Sequence, residues 1–154
     1  MILRHDAVVA THRAWAPQIR SSDVVRGAYG GAATSTIHER DIAAVAAQAL
    51  VRSAHAGHSY LLTGPQSLTQ RDKVRLIGEA IGKELRWEEI SPQEVRQAMI
   101  ASSVPEDVPD RMLGYLADRV QQPGPSSNTV EQVLGRAALT FSKWASEHAA
   151  DFRD

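Results

Sequence analysis

The chain has 154 residues, of which 43% are hydrophobic and 23% charged, and its formal net charge is -1. Lys and Arg are spread along it, so the sequence lacks the basic stripe of a nucleic-acid partner. The absence of cysteine excludes disulfides, a thiol nucleophile and thiolate metal ligands, and no apolar run reaches the roughly 20 residues that span a bilayer. We therefore expect one cytoplasmic domain over residues 1–154, without a nucleic-acid or membrane partner.

The first third of the chain alternates short apolar runs with turns. The run "MILR" predicts a strand, and the segment from Asp6 predicts a helix that ends before Pro17, because the residue preceding proline avoids the α region. The run "DVVRGAY" predicts a second strand, closed by Gly30 and Gly31, and "TSTI" predicts a further extended piece.

The middle of the chain carries two amphipathic helices around a strand. From Asp41 onwards, apolar residues fall on one helical face at Ile42, Val45, Ala46, Ala49 and Leu50. The run "SYLLT" predicts a strand ended by Gly64–Pro65. Thr69 and Asp72 then resemble a capping box, which opens a helix that ends at Gly82.

The last part of the chain becomes helical after one more strand, "LRWEEI". Ser91 and Glu94 predict the cap of a helix with Val95, Ala98 and Met99 inward. Another helix fits residues 109–120, Thr129 is expected to cap a short helix, and Thr140 is expected to cap a last one with Phe141, Trp144 and Ala145 inward. Strands that alternate with helices, followed by helices alone, predict an α/β or α+β fold.

His38 and Asp41 raise the first question about chemistry, because Asp41 could orient the imidazole of His38 for general-base work. In the alternative, His38 belongs to the N-cap of the helix. Asp41 is then a first-turn carboxylate that accepts a backbone N–H and meets the positive end of the helix dipole. The capping interpretation is favoured, and His38 is expected at most to border a substrate pocket.

A second cluster follows the first predicted strand. His5 and Asp6 come directly after it, and in α/β proteins ligands bind outside the carboxyl ends of strands. His12 and Trp15 are three residues apart, so a helix would place both on one side. His5, Asp6 and His12 are therefore the candidate catalytic residues, with Trp15 as a pocket wall. A surface turn beside a core tryptophan is an equally good interpretation.

Several other sequence patterns mainly exclude kinds of functional site. His55 and His58 have a metal-ligand spacing, but Gly57 between them indicates a loop without a nearby third ligand, so no metal site is expected. The sequence has neither a P-loop nor a G-x-S-x-G nucleophile turn. The stretch "GAYGG" follows a strand but opens no amphipathic helix, unlike a dinucleotide fingerprint. Tyr115 is followed four residues later by Arg119 rather than by Lys.

Three segments taken in order resemble the C-terminal half of NmrA-like proteins. These segments are "IHERDIAAVAAQAL", "YLLTGPQSLTQRDKVRLIGEAIGKELRWEEISPQEVRQAM" and "TVEQVLGRAALTFSKWASEHAADF". The NmrA-like proteins are atypical members of the short-chain dehydrogenase/reductase superfamily that bind NAD(P)H. The resemblance covers nearly the whole chain and implies an incomplete Rossmann-like fold.

The resemblance also marks departures from the family. His5 stands where a proline is usual and Asp6 where an asparagine is usual, so the pocket wall is altered. The glycine-rich turn that holds the pyrophosphate in the family would precede residue 1. We therefore expect no cofactor-binding residue within 1–154, and NAD or NADP is implied by the family only. Strands that would pair with the missing sheet leave an open edge, which predicts a homodimer or another oligomer.

Three functions follow as hypotheses. The first is a shortened NmrA-like protein that binds a small organic molecule, as a non-redox enzyme or an accessory protein. The second is an NAD(P)H-dependent oxidoreductase whose cofactor half is supplied by another chain or is missing from the gene model. The third is a non-catalytic regulatory or interaction module. The sequence alone does not choose among them, because function lies in the site.

Overall fold

The computed structural model describes residues 2–5, 7–55 and 57–153. The strands are short, and in chain order they are β1 (Ile2–His5), β2 (Val24–Gly27), β3 (Ala33–Thr34), β4 (Ser59–Leu62), β5 (Leu68–Thr69) and β6 (Arg86–Glu89). The α-helices are α1 (Ala16–Ser21), α2 (Glu39–Val51), α3 (Gln70–Ile81), α4 (Pro92–Ala101), α5 (Asp107–Gln121), α6 (Thr129–Leu134) and α7 (Phe141–Glu147). Short 3₁₀ segments cover Val9–Trp15, Ser53–His55 and Ala149–Phe152.

The strands form three pairs, and two of these pairs are parallel. β1 pairs with β4 and β2 pairs with β6, both in parallel, while β3 and β5 are antiparallel. Parallel neighbours need a crossover connection, and helices α2 and α3 lie within the two crossovers. This arrangement confirms the α/β class.

The interior consists of two apolar clusters. The larger one lies where α3 packs against α7, and it is built around Ile19, Val25, Ile77, Phe141, Trp144 and Phe152. The smaller one lies between α2, β4 and α6, and its buried members are Ile37, Val45, Leu62 and Val130. Full burial of such a side chain contributes about 1.5–3 kcal/mol to stability. Phe141, Trp144 and Ala145 are buried as the sequence predicted.

The predicted helix ends are confirmed wherever a local cap defines them. Thr69 and Ser91 each form a complete capping box with the carboxylate three residues later. Thr140 accepts the backbone N–H of Lys143 at the start of α7. Gly82 ends α3 in the left-handed conformation, with φ of 72°, a conformation that glycine adopts without steric cost.

Two predicted helix boundaries and one predicted buried face were wrong. Residues 9–15 form a 3₁₀ segment, and Pro17 lies in the first turn of α1 instead of following a helix. Proline is tolerated in a first turn because the N–H that it lacks would have no helical partner there. Thr129 is the first residue of α6 and Asn128 precedes it as the cap position. Helix α4 has no fully buried residue, and Ala98 on it is exposed.

The exposed side chains also define the outer faces of the fold. Within the described ranges, no helix is long and apolar enough to cross a bilayer. The largest exposed apolar side chains are Leu50 and Val51 at the end of α2, which are 80% and 78% exposed, and Ile2 on β1, which is 57% exposed.

Candidate functional site

A cavity of about 400 Å³ lies beside the segment that follows β1. Its apolar walls are Ala7, Val8, Ala14, Trp15, Met112 and Leu116. Its polar walls are His5, Thr11, His12, Thr34, Gln70 and Tyr115. The volume is in the range of sites for small organic molecules, and a mostly apolar lining with a few polar groups is typical of them.

His12 and Trp15 are brought together one turn apart in the 3₁₀ segment, as their spacing predicted. Their rings meet edge to face at 4.8 Å. His12 is buried, and its Nδ1 donates to the carbonyl of Val9 at 2.9 Å. Because Nδ1 carries the proton, Nε2 holds the lone pair. Trp15 is half-buried and forms part of the cavity wall.

The imidazole of His12 is neutral at physiological pH. Burial, and to a smaller extent the positive charge of Lys73, lower the pKa of His12 to about 3. An imidazole with so low a pKa is a poor general acid at neutral pH, because almost none of it carries the second proton. The structure therefore favours a hydrogen-bonding role for His12 over the acid/base role that the sequence pattern predicted.

Lys73 is the charged residue behind this cavity, and sequence reasoning missed it. It lies on α3 with its side chain 0% exposed. Its Nζ donates to Oγ1 of Thr34 and, at 3.4 Å, to Oε1 of Gln70. Both partners line the cavity. A signal was present: Gln70, Lys73, Val74 and Ile77 fall on one helical face, so the inward stripe of α3 contains a lysine.

Two further candidate residues, His5 and Asp6, come at the end of β1. His5 is exposed and lines the cavity, so the strand end does supply a pocket wall. Asp6 lies outside the described residues. The catalytic roles assigned to His5 and Asp6 therefore stay predictions.

His38 lies elsewhere, and the walls of the cavity do not include it. It is 1% exposed at the start of α2, where its Nδ1 accepts the backbone N–H of Arg40 at 3.2 Å. Its Nε2 lies 3.2 Å from Oε2 of Glu147 on α7. This imidazole caps α2 and connects it to α7, and the expectation that His38 borders the substrate pocket stays a prediction.

Asp41 does not orient His38. Its carboxylate is 0% exposed, accepts the backbone N–H of Leu139 at 2.7 Å and pairs with Arg136, also at 2.7 Å. The sequence predicted a carboxylate that serves the first turn of its own helix, but Asp41 instead ties α2 to the segment after α6. The pair His38–Asp41 is thus structural in both members.

The other residues that the sequence patterns singled out make contacts with neighbouring side chains. His55 Nδ1 bonds to the hydroxyl of Tyr60 at 2.8 Å, and the ring of His58 stacks on Tyr60. Within residues 2–5, 7–55 and 57–153, no group of three His, Asp or Glu side chains could hold a metal ion. The guanidinium of Arg119 lies 5.1 Å from the ring centre of Tyr115.

The turn "GAYGG" does not fit the pyrophosphate of a dinucleotide. The side of Gly27 that a Cβ would occupy is filled by the ring of Trp87. The backbone N–H of Gly30 donates to the carboxylate of Glu89 at 3.1 Å, a position at which a phosphate oxygen would be needed. A carboxylate already occupies that N–H, and its charge would repel a phosphate.

Comparison with known proteins gives consistent relatives. The chain is 38% identical over 141 residues to the (4-alkanoyl-5-oxo-2,5-dihydrofuran-3-yl)methyl phosphate reductase of Streptomyces griseus. The aligned region covers 90% of this chain and 49% of that reductase. It is also 38% identical over 125 residues to the NAD(P)H azoreductase of Xenophilus azovorans. That aligned region covers 80% of this chain and 43% of the azoreductase. The chain thus spans about half the length of the curated relatives it matches.

The structural neighbours show the same partial coverage. The NADPH-dependent quinone oxidoreductase of Escherichia coli, in its complex with NADPH, matches 94% of this chain and 51% of its own. The TM-score is 0.79 at 21% identity, so this likeness shows the fold. No family model matches the chain.

Proposed function

Because the chain belongs to the NmrA-like NAD(P)H-binding proteins, we propose that it is the substrate-binding part of an NAD(P)H-dependent reductase. The observation that carries this proposal is the cavity of about 400 Å³, whose walls all come from this chain. Its apolar lining suits a small organic molecule with a compact ring system. Two named relatives are reductases of organic molecules, an NAD(P)H azoreductase and a (4-alkanoyl-5-oxo-2,5-dihydrofuran-3-yl)methyl phosphate reductase.

The nucleotide is expected to bind outside the turn that contains Gly27 and Gly30. The ring of Trp87 packs against Gly27, and the backbone N–H of Gly30 already donates to Glu89. The turn therefore has neither the space nor the free N–H group that a phosphate would need. We propose that a further nucleotide-binding segment, of the same protein or of another chain, completes the reductase. The sequence-based hypothesis of a non-redox binder remains as the outcome if no such segment confers reduction.

A chimera tests this proposal. The 141 matched residues of the Streptomyces griseus reductase would be replaced by this chain, and NADPH oxidation would be followed with menadione or an azo dye as the acceptor. We expect oxidation that depends on the acceptor and is lost in the Ala14→Trp variant, because exposed Ala14 lines the cavity and a tryptophan there would fill it. A folded chimera that binds NADPH and reduces neither acceptor would contradict the proposal.

We also propose the oligomer that the sequence predicted, with a second copy of the chain as the partner. Within the described part of the chain, β4 is the strand paired with β1, and Ile2 on β1 is 57% exposed. Leu50 and Val51 expose further apolar surface. Light scattering after size-exclusion chromatography should show an oligomer that Leu50→Lys weakens. A monodisperse wild-type monomer at micromolar concentration would contradict this proposal.

A further inference from the structure

Lys73 determines what the polar wall of the cavity can recognise. An ammonium group has three hydrogens to donate and no lone pair, so every group that it contacts must act as an acceptor. Its Nζ reaches the hydroxyl of Thr34 and the amide oxygen of Gln70. Both side chains are ambivalent in general, since each can donate or accept. Contact with Lys73 uses the acceptor of each one.

The hydroxyl of Thr34 is left with its hydrogen. Thr34 is 2% exposed and lines the cavity. Among the residues that the structure describes, Lys73 is the partner of this hydroxyl. An oxygen that accepts from a cation is also polarised, which makes its own O–H a better donor. The hydroxyl hydrogen of Thr34 is therefore available to a group inside the cavity.

The amide of Gln70 is in the same state. Its oxygen accepts from Lys73, which leaves two N–H groups on the nitrogen. Gln70 lines the cavity, so these N–H groups are available to a ligand there.

We propose that Thr34 and Gln70 form a donor pair that binds an acceptor oxygen of the ligand, with Lys73 as the positioning residue that orients both donors. This inference rests on the proposed function, because it takes the cavity as the substrate site. It narrows the substrate class to apolar molecules that carry a carbonyl oxygen, such as quinones, ketones or lactones. Ligands whose polar group only donates are disfavoured, because they would meet donors.

Two probes of similar shape test the donor pair. Menadione is an apolar quinone with carbonyl acceptors, and methylnaphthalene is a hydrocarbon with the same fused rings. Menadione cannot be trapped by a thiol, because the chain has no cysteine. Binding to the whole chain would be measured by equilibrium dialysis. We expect Thr34→Val to weaken menadione binding about fivefold to tenfold, the effect of one lost hydrogen bond, and to leave methylnaphthalene binding within about twofold.

Three further variants separate this role from a purely structural one. Thr63→Val is the matched control: Thr63 is equally buried and bonded to Ser127, but it is not part of the cavity wall. It should leave the affinity for both probes unchanged. Thr34→Ser keeps the hydroxyl group, so it should bind menadione about as tightly as the wild type does. Lys73→Met should weaken menadione binding on its own, and its effect should be smaller in the Thr34→Val background, because Gln70 is then the remaining donor that Lys73 orients.

The outcomes distinguish failure of this inference from failure of the proposed function. If Thr34→Val binds menadione as well as the wild type does, while Ala14→Trp abolishes binding of both probes, the donor pair is wrong and the cavity remains the ligand site. If neither probe binds saturably, or if Ala14→Trp has no effect on either, the cavity is not the ligand site. In that case both the proposed function and this inference fail.

Discussion

Asp41 and Lys73 are both charged residues with fully buried side chains, yet their surroundings differ. The carboxylate of Asp41 bonds to Arg136 and to the backbone of Leu139, so it holds two segments of the chain together. Lys73 instead bonds to Thr34 and Gln70, which line the cavity. A buried charge therefore indicates a site only when its partners open onto a space that a ligand can fill.

The largest expected effect concerns pH and the region around Lys73. The folded protein keeps His12 neutral down to a pKa of about 3, whereas the unfolded chain takes up a proton near the ordinary value of 6.5. Between these values the unfolded state binds more protons, so stability falls as the pH falls and levels off above 6.5. The expected slope from this group is about 1.4 kcal/mol per pH unit.

Urea denaturation at several pH values measures that slope. The His12→Gln variant should lose stability less steeply on acidification than the wild type does, because glutamine does not titrate. His58→Gln is the matched control, in which the same substitution is made at an exposed histidine. Equal slopes for the wild type and His12→Gln would show that burial of His12 does not govern the acid limb.

The next effect concerns the region around Asp41. Asp41→Ala removes the carboxylate that pairs with Arg136 and leaves the N–H of Leu139 without its acceptor. We expect a loss of about 2–3 kcal/mol in the free energy of unfolding, since Arg136 is half-exposed and can regain water. Asp41→Asn should lose less, because the amide oxygen still accepts from Leu139. Equal losses for the two variants would show that the bond from the Leu139 N–H to Asp41 does not stabilise the fold.

The smallest expected effect is on the pKa of His12. The Lys73→Met variant should raise the pKa of His12, because it removes a nearby positive charge. The pKa should nevertheless stay below 6.5, because burial is the larger cause of the shift. An NMR titration of the ring carbon signals measures this change. Lys83→Met is the control: Lys83 bonds to the carbonyl of Ile19 and should leave the His12 signals unmoved.

Sequence rules succeeded where a few neighbouring residues decide the structure. The capping boxes at Thr69 and Ser91 and the left-handed Gly82 follow from local hydrogen bonding and local backbone sterics, and all three are confirmed. The side-by-side placement of His12 and Trp15 follows from one helical turn. Recognition of the family rested on the order of several such segments.

The same rules failed where partners far apart in the chain decide. Asp41 is bonded to Leu139, nearly a hundred residues away, so its first-turn position said little about its role. Lys73 looked like an ordinary charge between Asp72 and Val74, and its meaning depends on Thr34 in a distant strand. The helical periodicity of α3 predicts which of its residues face inward, but it does not predict that this face lies behind a cavity wall.

The most direct test of this comparison is the affinity for menadione measured side by side in Lys73→Met and Asp41→Asn. We expect Lys73→Met to bind menadione severalfold more weakly than the wild type, and Asp41→Asn to bind it with unchanged affinity. Methylnaphthalene, bound equally by all three proteins, would show that the cavity is intact. Unchanged menadione binding in Lys73→Met, or an equal loss in Asp41→Asn, would contradict the distinction drawn between the two buried charges.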